Sequence, residues 1–195
     1  MNWQNNLFKI LKKEDIKIFS YVPDAGHKIL IDNAIKDTTI TAIPLTSEEE
    51  GIGIAAGSHL GGLKAVLLMQ SSGVGNCINQ LSLINHGQFP FLTIVTMRGE
   101  FGEGNPWQYA MGQAVVPSLN SIGINCLKID NEYDVESTVK AALTMVFKSE
   151  RSVAVLLSQK LIGAKIYSYG YDILKNAKPR NFQSFFLKNH DSLTP

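Results

Sequence analysis

Ala65-Val66-Leu67-Leu68-Met69 runs directly into Gln70-Ser71-Ser72-Gly73-Val74-Gly75-Asn76, and this join decides the fold class. The first five residues are apolar without alternation, a length and pattern that suit a strand buried on both faces. Beyond the first glycine, Val74, Cys77, Ile78, Leu81 and Ile84 fall three or four apart and make one apolar helix face. A buried strand that passes through a tight polar turn into a helix is half of a βαβ unit.

The same alternation recurs on both sides. Further apolar or β-branched runs cover Ile16 to Val22, Thr39 to Ile43, Phe91 to Thr96, Ile124 to Ile129 and Val153 to Leu157. Helical spacing returns in Val135, Val139, Ala142 and Val146, and Met1 to Asp15 reads as an amphipathic first helix. Pro117 and Ser118 are expected to open a short helix toward Ile122 that Gly123 ends. Thr46 or Ser47 is placed to cap a helix whose first turn is Glu48-Glu49-Glu50. Gly51, Gly53 and Gly57 follow on that helix, at a cost in propensity that suggests close approach of another helix or of a ligand. Six strands with helical crossovers predict an α/β fold of three layers, a six-stranded and mainly parallel sheet flanked by helices. One domain is expected over residues 1–164.

Residues 165–195 form a C-terminal extension of different character. Lys165, Lys175, Lys178, Arg180 and Lys188 stand against Asp172 and Asp191, among Tyr167, Tyr169, Tyr171, Phe182, Phe185 and Phe186. That density of aromatic residues points to docking on the core or on a partner.

Composition removes several classes of function. With 45% hydrophobic and 18% charged residues in 195, the chain can bury a sizeable core and is neither disordered nor membrane-like. No apolar run reaches the roughly 18 residues of a spanning helix. The N-terminal stretch lacks the apolar core and cleavage site of a secretory signal, so a cytoplasmic location is expected. A formal net charge of +1 does not point to nucleic acid. Cys77 and Cys126 sit in apolar patterns as reduced packing residues, with neither disulfide framework nor metal-ligand spacing.

In a parallel sheet the loops leaving the strand C-termini gather on one edge. Four polar or glycine-rich segments fall there: Pro23 to His27, Pro44 to Glu50, Gln70 to Asn76 and Arg98 to Gln108. Successive residues turn by about 100 degrees on a helix, so the three glutamates cannot all face one way and at least one can face inward. A solvated acidic turn is the plain alternative. Ser72, Gly73 and Asn76 open a helix after a strand, where backbone N–H groups can hold phosphate, although a tight turn for close packing is the simpler reading. Asp24 and His27 are near enough to cooperate, or serve as a turn cap and a surface histidine. Arg98 can fork onto an anionic substrate or be saturated by a neighbouring glutamate, and Asn105 and Gln108 share its loop. His59 and His86 read as structural or exposed, and no nucleophile-elbow pattern marks a serine.

Ser47-Glu48-Glu49-Glu50-Gly51-Ile52-Gly53-Ile54-Ala55-Ala56-Gly57, followed by Lys64 to Asn76, resembles the pyrimidine-binding domain of thiamine-diphosphate-dependent decarboxylases. The likeness is to the sulfopyruvate decarboxylase alpha subunit and the matching region of phosphonopyruvate decarboxylase. Tyr21 to Asp24, Met97 to Glu100 and Asn105 to Gln108 extend it over about residues 5–160. The resemblance implies a decarboxylase that releases CO2 and an aldehyde from sulfopyruvate or phosphonopyruvate. It places on Glu48 the carboxylate that binds N1′ of the cofactor's aminopyrimidine and favours the 4′-imino tautomer, a proton-transfer role. Asp24 and His27 become candidates for proton transfer, Ser72, Gly73 and Asn76 for the cofactor, and Arg98, Asn105 and Gln108 for the substrate. The family holds diphosphate and Mg2+ through a Gly-Asp-Gly motif that this sequence lacks. A separate beta subunit is therefore expected to carry that domain and the Mg2+, in a heterotetramer or larger assembly. A carboligating subunit using the same cofactor, and a noncatalytic or regulatory homologue, are the alternatives the residues leave open.

Overall fold

The computed structural model describes residues 2–164. The extension 165–195 lies outside the described residues, and with it the expectation that this segment docks.

Asn2 caps α1 (Trp3–Lys13) by accepting from the Gln4 backbone N–H at 2.9 Å, and Leu7, Ile10 and Leu11 form its buried stripe. There follow β1 (Ile16–Tyr21), a 3-10 turn (Ala25–His27), α2 (Lys28–Lys36), β2 (Thr41–Pro44), α3 (Glu48–Leu60), β3 (Lys64–Gln70) and α4 (Ser71–Cys77). The chain continues through α5 (Leu81–Gly87), β4 (Phe91–Thr96), α6 (Gln108–Ser121), β5 (Asn125–Ile129), a 3-10 turn (Glu132–Asp134), α7 (Val135–Phe147), β6 (Ser152–Leu157) and α8 (Gln159–Ile162).

All pairs in the sheet are parallel, in the order β2-β1-β3-β4-β6-β5. Gln70 lies opposite Thr96 and Thr96 opposite Leu157, so β3, β4 and β6 end level with one another. The order reverses twice. After β1 the chain steps outward to β2 and returns past β1 to β3, and after β4 it steps out to β5 before β6 fills the gap. Each reversal opens a crevice beyond the strand C-termini, where α/β sheets bind ligands.

The sheet separates two cores. On one face α1, α2 and α7 cover Phe19, Val66, Leu68, Ile94 and Val155, with Leu7, Leu11 and Leu30 among the packing side chains. On the other, α3 to α6 cover Leu67, Met69, Val95 and Leu156 with Ile52, Val74, Leu81, Val115 and Leu119. Among the described residues no helix is long and apolar enough to cross a membrane.

The structure revises the expected elements in several places. Val74 to Ile84 is not one helix: a turn at 78–80 separates α4 from α5, although Val74, Cys77, Leu81 and Ile84 all still reach the same core. Pro117 does not open a helix but lies inside α6, which Gly112, Val115 and Leu119 hold against the core from nine residues upstream of the proline. Thr39 and Ile40 fall outside β2 because Asp37 folds them into a turn, accepting from the Thr39 backbone N–H at 3.0 Å. β2 and β5 are edge strands and stay partly exposed rather than buried on both faces. Ser47 stands at the N-cap of α3, but its side chain accepts no backbone N–H of the first turn and donates to Glu49 instead. Of the three glycines on α3, Gly51 is where Leu67 of β3 crowds in, its missing Cβ falling 2.5 Å from Leu67 Cδ1, whereas Gly53 and Gly57 face open space.

Candidate active site

Glu48 is the inward member of the acidic run. It is 8% exposed at the first position of α3, where unpaired backbone N–H groups favour a carboxylate. Its neighbours are occupied by helix ends: Glu50 Oε2 accepts from the Thr46 backbone N–H at 3.0 Å, and Glu49 takes the Ser47 hydroxyl. Asn76 of α4 donates to Glu48 Oε2 at 2.9 Å, while Oε1 takes no hydrogen bond among the described residues. The carboxyl lies over the backbone of Gly73. A Cβ there would come within 2.4 Å of Glu48 Cδ and Oε1, so only glycine leaves room for this side chain. Cys77 sits behind, its thiol pushed up to about 12 by burial and then by the charge of Glu48. This keeps it an unreactive packing residue, as is Cys126, which is also free.

A second carboxylate stands at the β1/β3 crevice. Asp24 Oδ1 accepts from Gln70 Nε2 at 3.1 Å, and Oδ2 accepts from the Thr96 hydroxyl at 2.7 Å and the Gly26 backbone N–H at 3.0 Å. Burial pushes the Asp24 carboxyl up, but the Thr96 hydrogen bond, His27 and the donors from Gln70 and Gly26 outweigh it and hold it below its ordinary value. Ser72 donates to Gln70 Oε1 at 2.9 Å, so the amide has a defined orientation. His27 is fully buried beneath this edge, with Nε2 3.1 Å from the Met69 carbonyl and Nδ1 lacking a hydrogen-bond partner among the described residues. A carbonyl only accepts, which assigns the proton to Nε2. Burial pulls this imidazole down, against the opposing pull of Asp24.

The loop after β4 is built around Glu103. Its Oε1 accepts from Arg98 Nη2 and the Asn105 backbone N–H, both at 2.8 Å. Oε2 accepts from Arg98 Nε at 2.7 Å, Gln159 Nε2 at 2.9 Å and the Gly99 backbone N–H at 3.2 Å. The Arg98 hydrogen bonds come first among the causes that hold this carboxyl down at about 2, against burial. Arg98 is thus forked onto Glu103, the saturated arrangement of the two read from the sequence, while still lining a cavity of about 180 Å3 with Asp24, Gly26, Thr96 and Ile162. The Asn105 side chain caps the turn into α6 through the Trp107 backbone N–H at 3.1 Å. Gln108 Oε1 is buried and has no hydrogen-bond partner among the described residues. His59 and His86 are exposed and away from all of these groups.

The strand ends therefore bring Asp24, Ser72, Thr96 and Arg98 together, with Glu48, Gly73 and Asn76 as a neighbouring cluster between α3 and α4. Gln70, Thr96, Glu103 and Gln159 hold these groups. Glu103 is the neighbouring glutamate that the sequence offered as a partner for Arg98, whereas the motifs did not single out Gln70, Thr96 and Gln159; the available signal was position, since each is polar and stands at or just beyond the end of an apolar strand.

No protein-family model matches the chain. Over 158 residues it is 34% identical to the sulfopyruvate decarboxylase subunit alpha of Methanococcus maripaludis, covering 80% of this chain and 95% of that one. The chain belongs to the sulfopyruvate decarboxylase alpha-subunit family. The member from Methanocaldococcus jannaschii is 36% identical over 77% of this chain and 89% of its own. A phosphonopyruvate decarboxylase of Streptomyces viridochromogenes is 37% identical over 62% of this chain but only 31% of its own length. The fold is shared with 2-oxoglutarate:ferredoxin oxidoreductase from Magnetococcus marinus, solved with 2-oxoglutarate, coenzyme A and succinyl-CoA bound. The two superpose with a TM-score of 0.67 at 14% identity, over 83% of this chain and 29% of that one.

Proposed function

We propose that this chain is the alpha subunit of a thiamine-diphosphate-dependent decarboxylase acting on sulfopyruvate or phosphonopyruvate and releasing CO2 and an aldehyde. The observation that carries the reading is Glu48: a nearly buried carboxyl at a helix start, fixed by Asn76 through one oxygen and open at the other. That geometry fits the pyrimidine end of the cofactor, because an anchored carboxyl with one available oxygen can share a proton with a ring nitrogen. When bound, thiamine diphosphate supplies the electron sink for loss of CO2.

The protein's own residues divide the remaining work. Glu48 holds the proton at the ring nitrogen, Asn76 sets its angle, and Gly73 and Ser72 form the wall beside it. Asp24, held below its ordinary value at the edge of the cavity, is placed to handle a proton at the substrate, with the buried His27 beneath it. Arg98 contributes positive charge toward an anionic substrate, although its fork onto Glu103 makes a second bidentate grip unsuitable. Gln108, with its unpartnered buried oxygen, is the better placed of the two loop amides to receive a hydrogen bond.

A complementary beta subunit holds diphosphate and Mg2+ in this reading. Its support is that the alpha-subunit relatives are nearly spanned by this chain, whereas the phosphonopyruvate enzyme is about three times the matched length. The test is reconstitution with that subunit, thiamine diphosphate and Mg2+. Glu48→Gln is expected to keep the fold and lower turnover of both acids by about 10²–10⁴-fold. Near-normal turnover would reject the assignment.

A further inference from the structure

Asp24 receives more hydrogen bonds than its local duty requires. As the cap of the 3-10 turn it needs only the Gly26 N–H, at 3.0 Å. Two further donors arrive from neighbouring strands, the Thr96 hydroxyl from the end of β4 and the Gln70 amide from the end of β3. The Gln70 amide is itself held by Ser72, whose hydroxyl occupies Oε1 and so turns Nε2 toward Asp24. Gly26 adds room: a Cβ there would fall 2.6 Å from the Thr96 methyl and 2.9 Å from Asp24 Oδ2. The carboxylate so oriented lines the same cavity as Thr96 and Arg98.

We propose that Gln70 is a positioning residue for Asp24, an amide that Ser72 orients and that aims the carboxylate into the cavity at the β1/β3 crevice. The proposal rests on the decarboxylase reading only for its catalytic consequence. Its structural part belongs to this chain alone. Gln70 is neutral at every pH and donates to Oδ1, so it favours the ionised carboxylate without competing for its proton. The other titratable and charged groups facing Asp24 are His27 below, Lys28 and Asp32 on its outer side, and Arg98 across the cavity with its partner Glu103. Lys28 and Asp32 pair with each other, as do Arg98 and Glu103, so changing Gln70 alters one donor while these remain.

The experiment is a carboxyl 13C titration of the full chain labelled at aspartate, with Asp24 assigned by its loss in Asp24→Asn. Gln70→Leu removes the donor, and Gln70→Glu, nearly the same in shape, replaces it with a second carboxylate. Both are expected to raise the Asp24 titration, Gln70→Glu by about one unit or more because like charges resist joint ionisation. An unchanged titration in a folded Gln70→Glu chain overturns the proposal, even where Gln70→Leu fails to fold. In the reconstituted complex, the acid limb of kcat/KM should move with the titration. A merely structural role would lower the unfolding temperature and leave that limb in place. A wild-type complex silent toward both acids defeats the decarboxylase reading instead, and leaves the aspartate titration as an independent result.

Discussion

At the scale of single residues, the site depends on one side chain being absent. Gly73 sits inside α4, where alanine would improve helix propensity by about 0.8–1 kcal/mol. The atoms its Cβ would meet belong to the end of the Glu48 side chain, with Cγ at 2.5 Å and Oε1 at 2.4 Å. A flexible carboxyl can swing away at small cost to the fold. Gly73→Ala is therefore expected to leave thermal stability unchanged or slightly raised while displacing Glu48 from Asn76, with turnover of the complex falling as far as in Glu48→Gln. Paired melting curves and kinetics check this: retained turnover would mean that Glu48 does not need its observed position. The inward direction of Glu48 follows from neighbours rather than from the residue itself. Glu49 and Glu50 are drawn to Ser47 and to the Thr46 N–H.

Among elements, the segment between β4 and α6 shows how an irregular loop is held in one shape. Glu103 collects five donors from Arg98, Gly99, Asn105 and Gln159, and the Tyr109 hydroxyl donates to its backbone carbonyl at 2.7 Å. The glycines let the backbone close on itself: Gly99 has φ +73°, and a Cβ on Gly112 would lie 2.2 Å from the Arg98 carbonyl oxygen. Glu103→Gln removes the carboxylate onto which the buried Arg98 is forked and is expected to destabilise the fold by about 3–5 kcal/mol in urea unfolding. The acid dependence has a definite sign. Glu103 is held down at about 2 against an ordinary value of 4.5, so its stabilisation is complete above about 4.5 and is lost as pH falls toward 2. Stability measured from pH 5 to pH 2 should fall more steeply in the natural chain than in Glu103→Gln. Parallel curves would remove Glu103 from the account of acid sensitivity.

For the whole molecule, the two reversals of strand order place the site on one edge of the sheet, with one wall built from α3 and α4 and another from the loops after β1 and β4. In the proposed function that edge provides carboxylates and amides for the cofactor ring and a small acid, and the partner holds the diphosphate and Mg2+. The isolated chain supplied with thiamine diphosphate and Mg2+ is therefore expected to show no turnover, and activity should co-elute with it on size-exclusion chromatography only after the complementary subunit is added. Turnover by the chain alone would reject the divided site.

The layered α/β class and the convergence of four polar segments on one edge were both legible in the chain's residue pattern. Both are consequences of short-range patterning: continuous apolar runs make buried strands, and three-to-four spacing makes helices that return the chain in parallel. Helix periodicity also required that at least one of three adjacent glutamates can face inward, and the structure turns Glu48 inward, the residue on which the resemblance places the cofactor role. Tertiary structure decided what each polar side chain faces. Gln70 is 46 residues from Asp24, Thr96 is 72 residues from it, and Gln159 is 56 from Glu103, separations that no local period can reveal. It also carried α6 through Pro117, because burial of Gly112, Val115 and Leu119 along one helix face outweighs the backbone hydrogen bond that proline cannot donate. Propensity and spacing act over a few residues, whereas a carboxylate's partners are set by which strands the sheet puts side by side.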